Sequence, residues 1–289
     1  MLQDILVTGL VNGGVYALLA IGFSLIFGVA RIVNIAHTAF YMLAAYALYA
    51  LAVKGGVPLA AAIPLSVIAV VAISLVCYKL VIEPVRRHDS AVLIATIALG
   101  LVFQETLLIS FGGHYLGVPA IADGFASVLG VRVSYQRLVV LAAVALVLAA
   151  TWLLLNRTRL GLAIRAAAND LEVANLMGIN VDRVAMLTVA FSAALAAVAG
   201  VAVAPVFVVD PFMWLPPLVT MLAIVVLGGL GSLKGSLIGA FIIGFVEAIT
   251  VFAVPAGAFL KGAVALTIMV VVLLIRPEGL YGVAFEEER

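Results

Sequence analysis

The sequence predicts an all-α, polytopic transmembrane helix bundle of about 8–10 membrane helices with one short cytoplasmic helix, and three observations carry that expectation. First, 66% of the 289 residues are hydrophobic and only 10% are charged, whereas water-soluble domains carry about 25% charged residues. The mean hydropathy of +1.35 agrees. Second, apolar runs near the roughly 20 residues needed to cross a hydrocarbon core of about 30 Å recur at 6–28, 35–53, 60–82, 91–111, 137–155, 184–204, 236–254 and 260–275. A shorter run at 216–231 reads as a ninth span or a re-entrant segment. Third, Pro58, Pro84, Pro119, Pro205, Pro255 and Pro277 stand at or near the run ends, where helices stop. No stretch is polar enough to fold separately, so residues 1–289 read as one membrane domain.

The first run follows MLQDILVTGL, which lacks the positive segment of a secretory signal peptide, and it is too long for one. It reads as a permanent span. Gly9 and Gly13 form a small-residue pair on it, the spacing that lets membrane helices approach closely. Tyr16 and Asn12 of the same span border a cavity if the pathway runs there. Asn34, His37 and Thr38 stand at i, i+3 and i+4 at the start of the second run and share a face. Either they tie helices together, or they meet solute or gate it. Pro64 and the Pro216-Pro217 pair are assigned to first helical turns, where proline is tolerated. Gln104, Glu105 and Thr106 lie near the middle of the fourth run. An ionisable side chain inside a membrane is costly and faces the bundle interior, a pathway or a partner. Glu105 is therefore a candidate for binding a substrate ammonium, relaying protons or pairing across an interface, and Glu247 raises the same alternatives.

Lys and Arg orient such a bundle, because cytoplasmic loops hold an excess of them. With nine crossings and the C-terminus inside, the inner side collects Arg31, Lys79, Arg86, Arg87, Arg157, Arg159, Arg165, Arg183, Lys234, Arg276 and Arg289. The outer side keeps Lys54, Arg132, Arg137 and Lys261. That bias predicts the N-terminus outside, and it makes the glycine-rich loop 112–136 external, as a connector or a docking face. The net charge of +1 implies neither nucleic acid nor an acidic partner. Cys77, the single cysteine, forms no internal disulfide and no zinc site by itself, which leaves packing.

The one long polar interruption, Thr158 to Arg183, falls on the cytoplasmic side (about 157–183). Leu160, Ile164, Ala167, Leu171 and Ala174 alternate by four and three, which draws one helical stripe, while Arg165, Asn169 and Glu172 keep the same steps on another face. Asn169 with Glu172 fits a capping box, and Asp170 suits a helix first turn. Met177-Gly178 reads as a glycine stop, and Asn180 as the cap of the next span. The expectation is a short helix from Asp170 to Met177, about 12 Å long at 1.5 Å per residue. Eight residues do not hold a helix in water, so it is either a surface amphipathic helix or a knob presented to a cytoplasmic subunit.

The Gly228–Gly239 segment, GGLGSLKGSLIG, fails the P-loop pattern, because Lys234 precedes Gly235 instead of following it. It fails the dinucleotide pattern too, because lysine occupies the third glycine position. Gly231, Gly235 and Gly239 repeat every four residues and are candidates for close helix packing or for an unwound segment beside a pathway. Asn156-Arg157-Thr158 matches a glycosylation sequon but lies on the predicted cytoplasmic side. Among enzyme signatures, there is no HExxH, no paired-aspartate motif and no Ser-His-Asp grouping at useful spacing.

The loop AANDLEVANLMGIN resembles the cytoplasmic coupling loop of permeases in the branched-chain amino acid ABC importer family. GLVNGGVYALLAIGFSLIFGVARIVNIAHTAFYMLAAY resembles that family's opening helix pair, AFSAALAAVAGVAVAP and VLGGLGSLKGSLIGAFIIGFVEA its later blocks, and RPEGLYG its ending. These segments cover about half the chain in the expected order, and the short N-terminus is similar to the shorter of the two paired permeases. One departure stands out: Asn34 and His37 are kept, but Ile35 and Thr38 replace the usual Phe and Gly. The resemblance implies a permease subunit with no catalytic residue, metal or cofactor of its own. It also implies a second permease (a paralogue), two cytoplasmic ATPases holding ATP and Mg, and an external solute-binding protein. Arg165, Asn169, Asp170, Leu171, Glu172, Ala174, Met177 and Gly178 would couple to the ATPase. Tyr16, Asn34, His37, Gln104 and Glu105 are the candidate path residues. The rival expectation is an ion- or proton-coupled transporter without ATPases, using Glu105, Glu247 and His37 as its relay.

Overall fold

A chain inside hydrocarbon has to satisfy its own backbone, and helices do so within one segment. The computed structural model, which describes residues 2–128 and 131–282, turns each apolar run into helix. The elements are α1 (Leu2–Ala30), α2 (His37–Tyr49), α3 (Leu59–Cys77) and α4 (Asp89–Phe111), then the hairpin β1 (Phe125–Val128) and β2 (Val131–Ser134). There follow α5 (Tyr135–Arg157), α6 (Arg159–Asn169), α7 (Leu171–Leu176), α8 (Val181–Val203), α9 (Leu215–Gly228), α10 (Leu233–Ala253) and α11 (Lys261–Ile275). Wider π-helical turns extend α2 through Lys54 and α3 through Ile82. Among the described residues, seven helices are long and apolar enough to cross a membrane: α1, α3, α4, α5, α8, α10 and α11, with α3 and α11 counted with their flanking turns. The chain is a multi-pass membrane protein.

The run at 35–53 is not the full-length span the sequence suggests. After Ala30, residues 31–36 fold back along α1 until the His37 ring meets the Leu19 carbonyl at 3.1 Å. That point is eleven residues from the end of α1, about 17 Å at 1.5 Å per residue, so α2 starts inside the bundle. The run at 216–231 behaves the same way. Trp214, at the N-cap of α9, donates its indole N–H to Gln104 on α4, 2.9 Å away. A helix start buried away from water leaves orphan N–H groups, and the sequence removes them. Leu215 N–H bonds to the Phe212 carbonyl and Leu218 N–H to Trp214, while Pro216 and Pro217 have no N–H. Pro64, by contrast, lies inside α3 and not in its first turn, because the helix starts at Leu59.

Two units of the same kind emerge: α1–α4 and α8–α11 each run long, half-length, long, long. They point in opposite directions, because α8 begins at the end of the bundle where α1 finishes. The contacts of Arg31 with Ala168 and of Arg86 with Asp182 mark that shared end. The packing is crosswise, α1 on α10 and α3 on α8, with α1 and α8 together at the centre. Inverted repeats with broken helices meeting at mid-depth are a recurring transporter plan. Small residues set the close crossings: Gly244 of α10 lies against the Gly13 backbone of α1, and Gly200 of α8 against the Tyr41 carbonyl of α2. α1 and α8 are mostly buried, whereas α11 has one fully buried residue, Ala265, and is otherwise half-buried or exposed. At the end opposite Arg31, a backbone bridge joins Leu116 to Val209, and the Lys54 ammonium lies 4.3 Å from the Phe111 ring centre.

Candidate functional site

The polar loop 158–183 folds as two helices, the second lying within the short helix expected over Asp170–Met177, and the stripe Leu160, Ile164, Ala167, Leu171 and Ala174 is its buried or half-buried side. The break comes at Asp170, whose backbone is extended (φ −153°, ψ 116°). Asp170, not Asn169, is the N-cap of α7: its Oδ1 accepts from the N–H groups of Glu172 and Val173 at 2.9 and 3.0 Å. Asn169 is the last residue of α6, and Glu172 caps nothing in return. The physical reason is local, since aspartate caps as well as asparagine and only the tertiary path selects between adjacent candidates. At the far end, Gly178 adopts φ +85°. Its N–H bonds to the Asn175 carbonyl and that of Ile179 to the Ala174 carbonyl, both at 3.0 Å. These paired bonds close the helix in a Schellman motif. Asn180 then caps α8 by accepting from Arg183 N–H at 2.9 Å.

Burial sorts the coupling candidates. Ala174 is buried and Leu171 half-buried, while Arg165, Asn169, Asp170, Glu172, Met177 and Gly178 are exposed. Periodicity missed what is most conspicuous, that the apolar side chains Val173, Leu176 and Met177 also point outward, Leu176 being 86% and Met177 79% exposed. An inward stripe is what the pattern search seeks, so an apolar face turned away from the core leaves no sequence signal. Beside this knob runs a groove of about 330 Å³ lined by Leu171, Glu172, Asn175, Asn180, Val181 and Asp182.

Two arginines from other segments reach this loop, and neither was legible in the sequence. Arg86, between α3 and α4, donates to Asp182 Oδ1 at 2.8 Å. That bond raises the guanidinium pKa above the ordinary arginine value, and the Tyr78 hydroxyl adds to the effect. Arg31, just after α1, reaches the Ala168 carbonyl at 3.4 Å. Beneath them Ile26, Ile32, Tyr78, Ile82, Val92 and Val189 form a small second core that joins α1, α3, α4 and α8.

Of the polar residues inside the bundle, His37, Ser192, Tyr16 and Glu247 take part in hydrogen bonds between helices, whereas the Asn34 Oδ1 and Thr38 hydroxyl are buried without a partner. His37 is fully buried, with Nε2 against the Leu19 carbonyl and Nδ1 3.3 Å from Ser192 Oγ. Ser192 gives its proton to the Gly22 carbonyl at 2.7 Å, so the His37 Nε2–H ties the start of α2 to α1 and Ser192 ties α8 to α1. Asn34 is buried beside it in sequence, in the folded-back segment. Tyr16 donates to Glu247 Oε2 at 2.8 Å and Thr220 to Oε1 at 3.3 Å, knitting α1, α9 and α10 around a carboxylate that is 1% exposed. Glu247→Ala leaves two buried hydroxyls unpaired, and an orphaned buried group costs about 1–3 kcal/mol. The expected loss is about 3 kcal/mol, read as a lower thermal midpoint in detergent, with Glu247→Gln losing less because it keeps an acceptor.

Glu105 is different, because it is exposed on the outer face of α4. Its neighbour Gln104 is oriented by chemistry, since the Trp214 N–H needs the amide oxygen and the Gln104 NH₂ then donates to Glu105 Oε1 at 3.1 Å. The carboxylate is thus aimed outward by a relay that starts at the buried head of α9. Gly235 and Gly239 lie on the face of α10 that meets α9, but Gly231 precedes the helix in a left-handed turn (φ +81°) and does not share that face. Among the described residues no group of three or more His, Cys, Asp or Glu is placed to hold a metal ion.

Comparisons with known proteins bear on the whole arrangement. Residues 5–273 match the family described as the branched-chain amino acid transport system / permease component. The high-affinity branched-chain amino acid transport system permease protein BraD of Pseudomonas aeruginosa is 33% identical, over 96% of this chain and 94% of its own length. LivH of Escherichia coli, a permease protein of the same name, is 30% identical over 95% and 93%. A probable branched-chain amino acid transport permease protein of Methanocaldococcus jannaschii is 26% identical over 98% and 93%. In fold, the chain is similar to PsaBC of Streptococcus pneumoniae solved with a Fab, with a TM-score of 0.52 at 17% identity, covering 95% of this chain and 92% of that one. A match over nearly the full length, on a bundle with half-helices and a capped, outward-facing short helix, leaves one conclusion: this chain belongs to the family of permease components of the branched-chain amino acid transport system.

Proposed function

We propose that this chain is one permease of an ATP-driven importer in a bacterial-type cytoplasmic membrane, carrying branched-chain amino acids or a related small solute. The observation that carries the reading is α7: a six-residue helix, capped at both ends, that presents Val173, Leu176 and Met177 to solvent. A cytoplasmic ATPase holding ATP and Mg covers this knob, and a second copy serves the partner permease, a paralogue. The end bearing α7 is cytoplasmic, because it collects Arg31, Arg86, Arg87, Arg157, Arg159, Arg165 and Arg183. The N-terminus of α1 then lies outside and α11 ends inside. An external binding protein delivers solute to the opposite end. The path follows the outer face of α4, because Glu105 is exposed there and a carboxylate facing lipid is costly.

The rival proton-coupled reading loses support on geometry. His37 and Glu247 are each closed inside helix-to-helix hydrogen bonds, and a relay needs groups that water reaches. The deciding experiment reconstitutes the chain with its partner permease, ATPases and binding protein in liposomes and follows leucine uptake. Uptake should require both ATP and the binding protein. Uptake by this chain alone, driven by a proton gradient, would sink the proposal.

Glu105→Gln tests the path. It keeps shape and the Gln104 contact but removes charge, and a hydrogen bond to a charged group contributes about 1.5–3 kcal/mol, so uptake should fall about tenfold with ATPase attachment intact. Unchanged uptake would take Glu105 out of the path.

A further inference from the structure

We propose that Arg86 and Arg31 are the two positioning residues through which a displacement of α7 enters the membrane bundle, Arg86 by way of Asp182 into α4 and Arg31 by way of Ala168 into α2. This rests on the reading that an ATPase pushes on α7. Six residues between an extended Asp170 and a left-handed Gly178 form a short helix whose two ends are each closed by hydrogen bonds. A push on it reaches the core through the buried Ala174 and passes along the chain into α6 on one side and α8 on the other. Each of those ends is met by one arginine from a different membrane segment.

At the α8 end, Asp182 takes the Arg86 guanidinium at 2.8 Å. Three residues after Arg86, at Asp89, begins α4, the helix that carries Glu105 and holds Trp214 of α9 through Gln104. At the α6 end, Arg31 reaches the Ala168 carbonyl, and its own chain continues directly into the folded-back segment that ends at His37. Arg31 also lines the cleft of about 500 Å³ between Ala168 and Asn169 on one side and Gly231, Ser232 and Glu278 on the other.

The backbone at Arg31 gives the independent sign that its side chain is what matters. Its φ is +54° and its N–H bonds to the Phe27 carbonyl, the left-handed C-cap that glycine occupies without strain. A residue with a Cβ is disfavoured there, and strain of this kind clusters at working sites. Neither contact is needed to fold the region. The Arg86–Asp182 pair is 40% and 70% exposed, so solvent screens it and it adds little stability, while the apolar cluster around Tyr78 and Ile82 already holds these segments together.

The test uses the assembled importer in liposomes and reads leucine uptake per ATP hydrolysed alongside ATPase retention on purification. Arg86→Gln and Asp182→Asn should each lower uptake per ATP at least fivefold with the ATPase retained. Arg86→Lys, which keeps the charge, should retain most of the coupling, and the exchange Arg86→Asp with Asp182→Arg should recover part of what Arg86→Gln loses. Arg31→Gly should uncouple to a similar degree while its thermal midpoint stays the same or rises, which a merely structural arginine would not do. Wild-type uptake per ATP in Arg86→Gln and Arg31→Gly would overturn the inference. Failure of the unsubstituted chain to retain any ATPase would instead overturn the reading on which it rests.

Discussion

Leu176→Glu combined with Met177→Glu should strip the ATPase from the permease and abolish uptake while leaving the bundle folded. Both side chains are almost wholly in solvent in the isolated chain, so charging them removes no internal contact. What holds α7 lies elsewhere: the Asp170 cap, the two hydrogen bonds that close its C-terminus, and the buried Ala174. In the complex the balance reverses. Burying a leucine or methionine side chain contributes about 1.5–3 kcal/mol, and each tenfold in affinity corresponds to about 1.4 kcal/mol. Losing two such contacts weakens attachment by about a hundredfold or more, before the cost of placing carboxylates in an apolar socket. Co-purification of the ATPase with the doubly substituted chain, compared with its thermal midpoint, checks both halves. Full ATPase retention would mean that the knob faces something else.

Gly235→Leu should have the largest effect on the fold itself. The backbones of α9 and α10 touch at Gly228 and Gly235, and a Cβ built on either falls on the main chain of the other. No rotamer relieves that clash, because it arises at the first side-chain atom. Overpacking typically costs about 1–3 kcal/mol and occasionally more when the backbone must shift. Here two backbones must part, so about 3 kcal/mol or more is expected. The connecting turn cannot absorb the shift, because Gly229 and Gly231 hold it at φ +97° and +81°, and a Cβ on Gly229 would meet the Gly282 backbone. The variant should fail to accumulate in membranes as a monodisperse protein. Gly231→Ala, which meets nothing nearer than 3.7 Å and pays only for its backbone conformation, should be far milder. Normal yield of Gly235→Leu would show that α9 and α10 do not pack as described.

Much of this architecture is written in residue types that act locally. Apolar runs near twenty residues specify spans by composition alone, and Gly178 and Asn180 carry helix punctuation that depends on a few neighbours. The two half-helices are harder to read. Nothing in the composition of 35–53 or 216–231 says that each starts at mid-depth, because that depends on where His37 finds Leu19 and Trp214 finds Gln104. Those partners are 18 and 110 positions away. Pro216-Pro217 was a usable clue, since paired prolines at a helix start suit a place with no water for spare N–H groups. The candidate site divides in the same manner. The short helix and its glycine stop are local, whereas the choice of Asp170 over Asn169 as cap, the outward Leu176, and the reach of Arg31 and Arg86 depend on tertiary placement. Tyr16 and His37 fit a pathway by polarity alone, yet each is consumed by a hydrogen bond inside the bundle.

If the ATPase sits on α7, it lies within reach of the exposed Leu176 side chain. The most direct measurement places one cysteine at position 176 (Leu176→Cys, with Cys77→Ala) and joins it to a photoreactive crosslinker in the assembled importer. A matching chain carries Phe259→Cys at the opposite end, where the native side chain is 91% exposed. Position 176 should give an adduct of permease and ATPase, and position 259 should give none. An ATPase that co-purifies yet crosslinks from 259, or never from 176, would contradict its placement on α7.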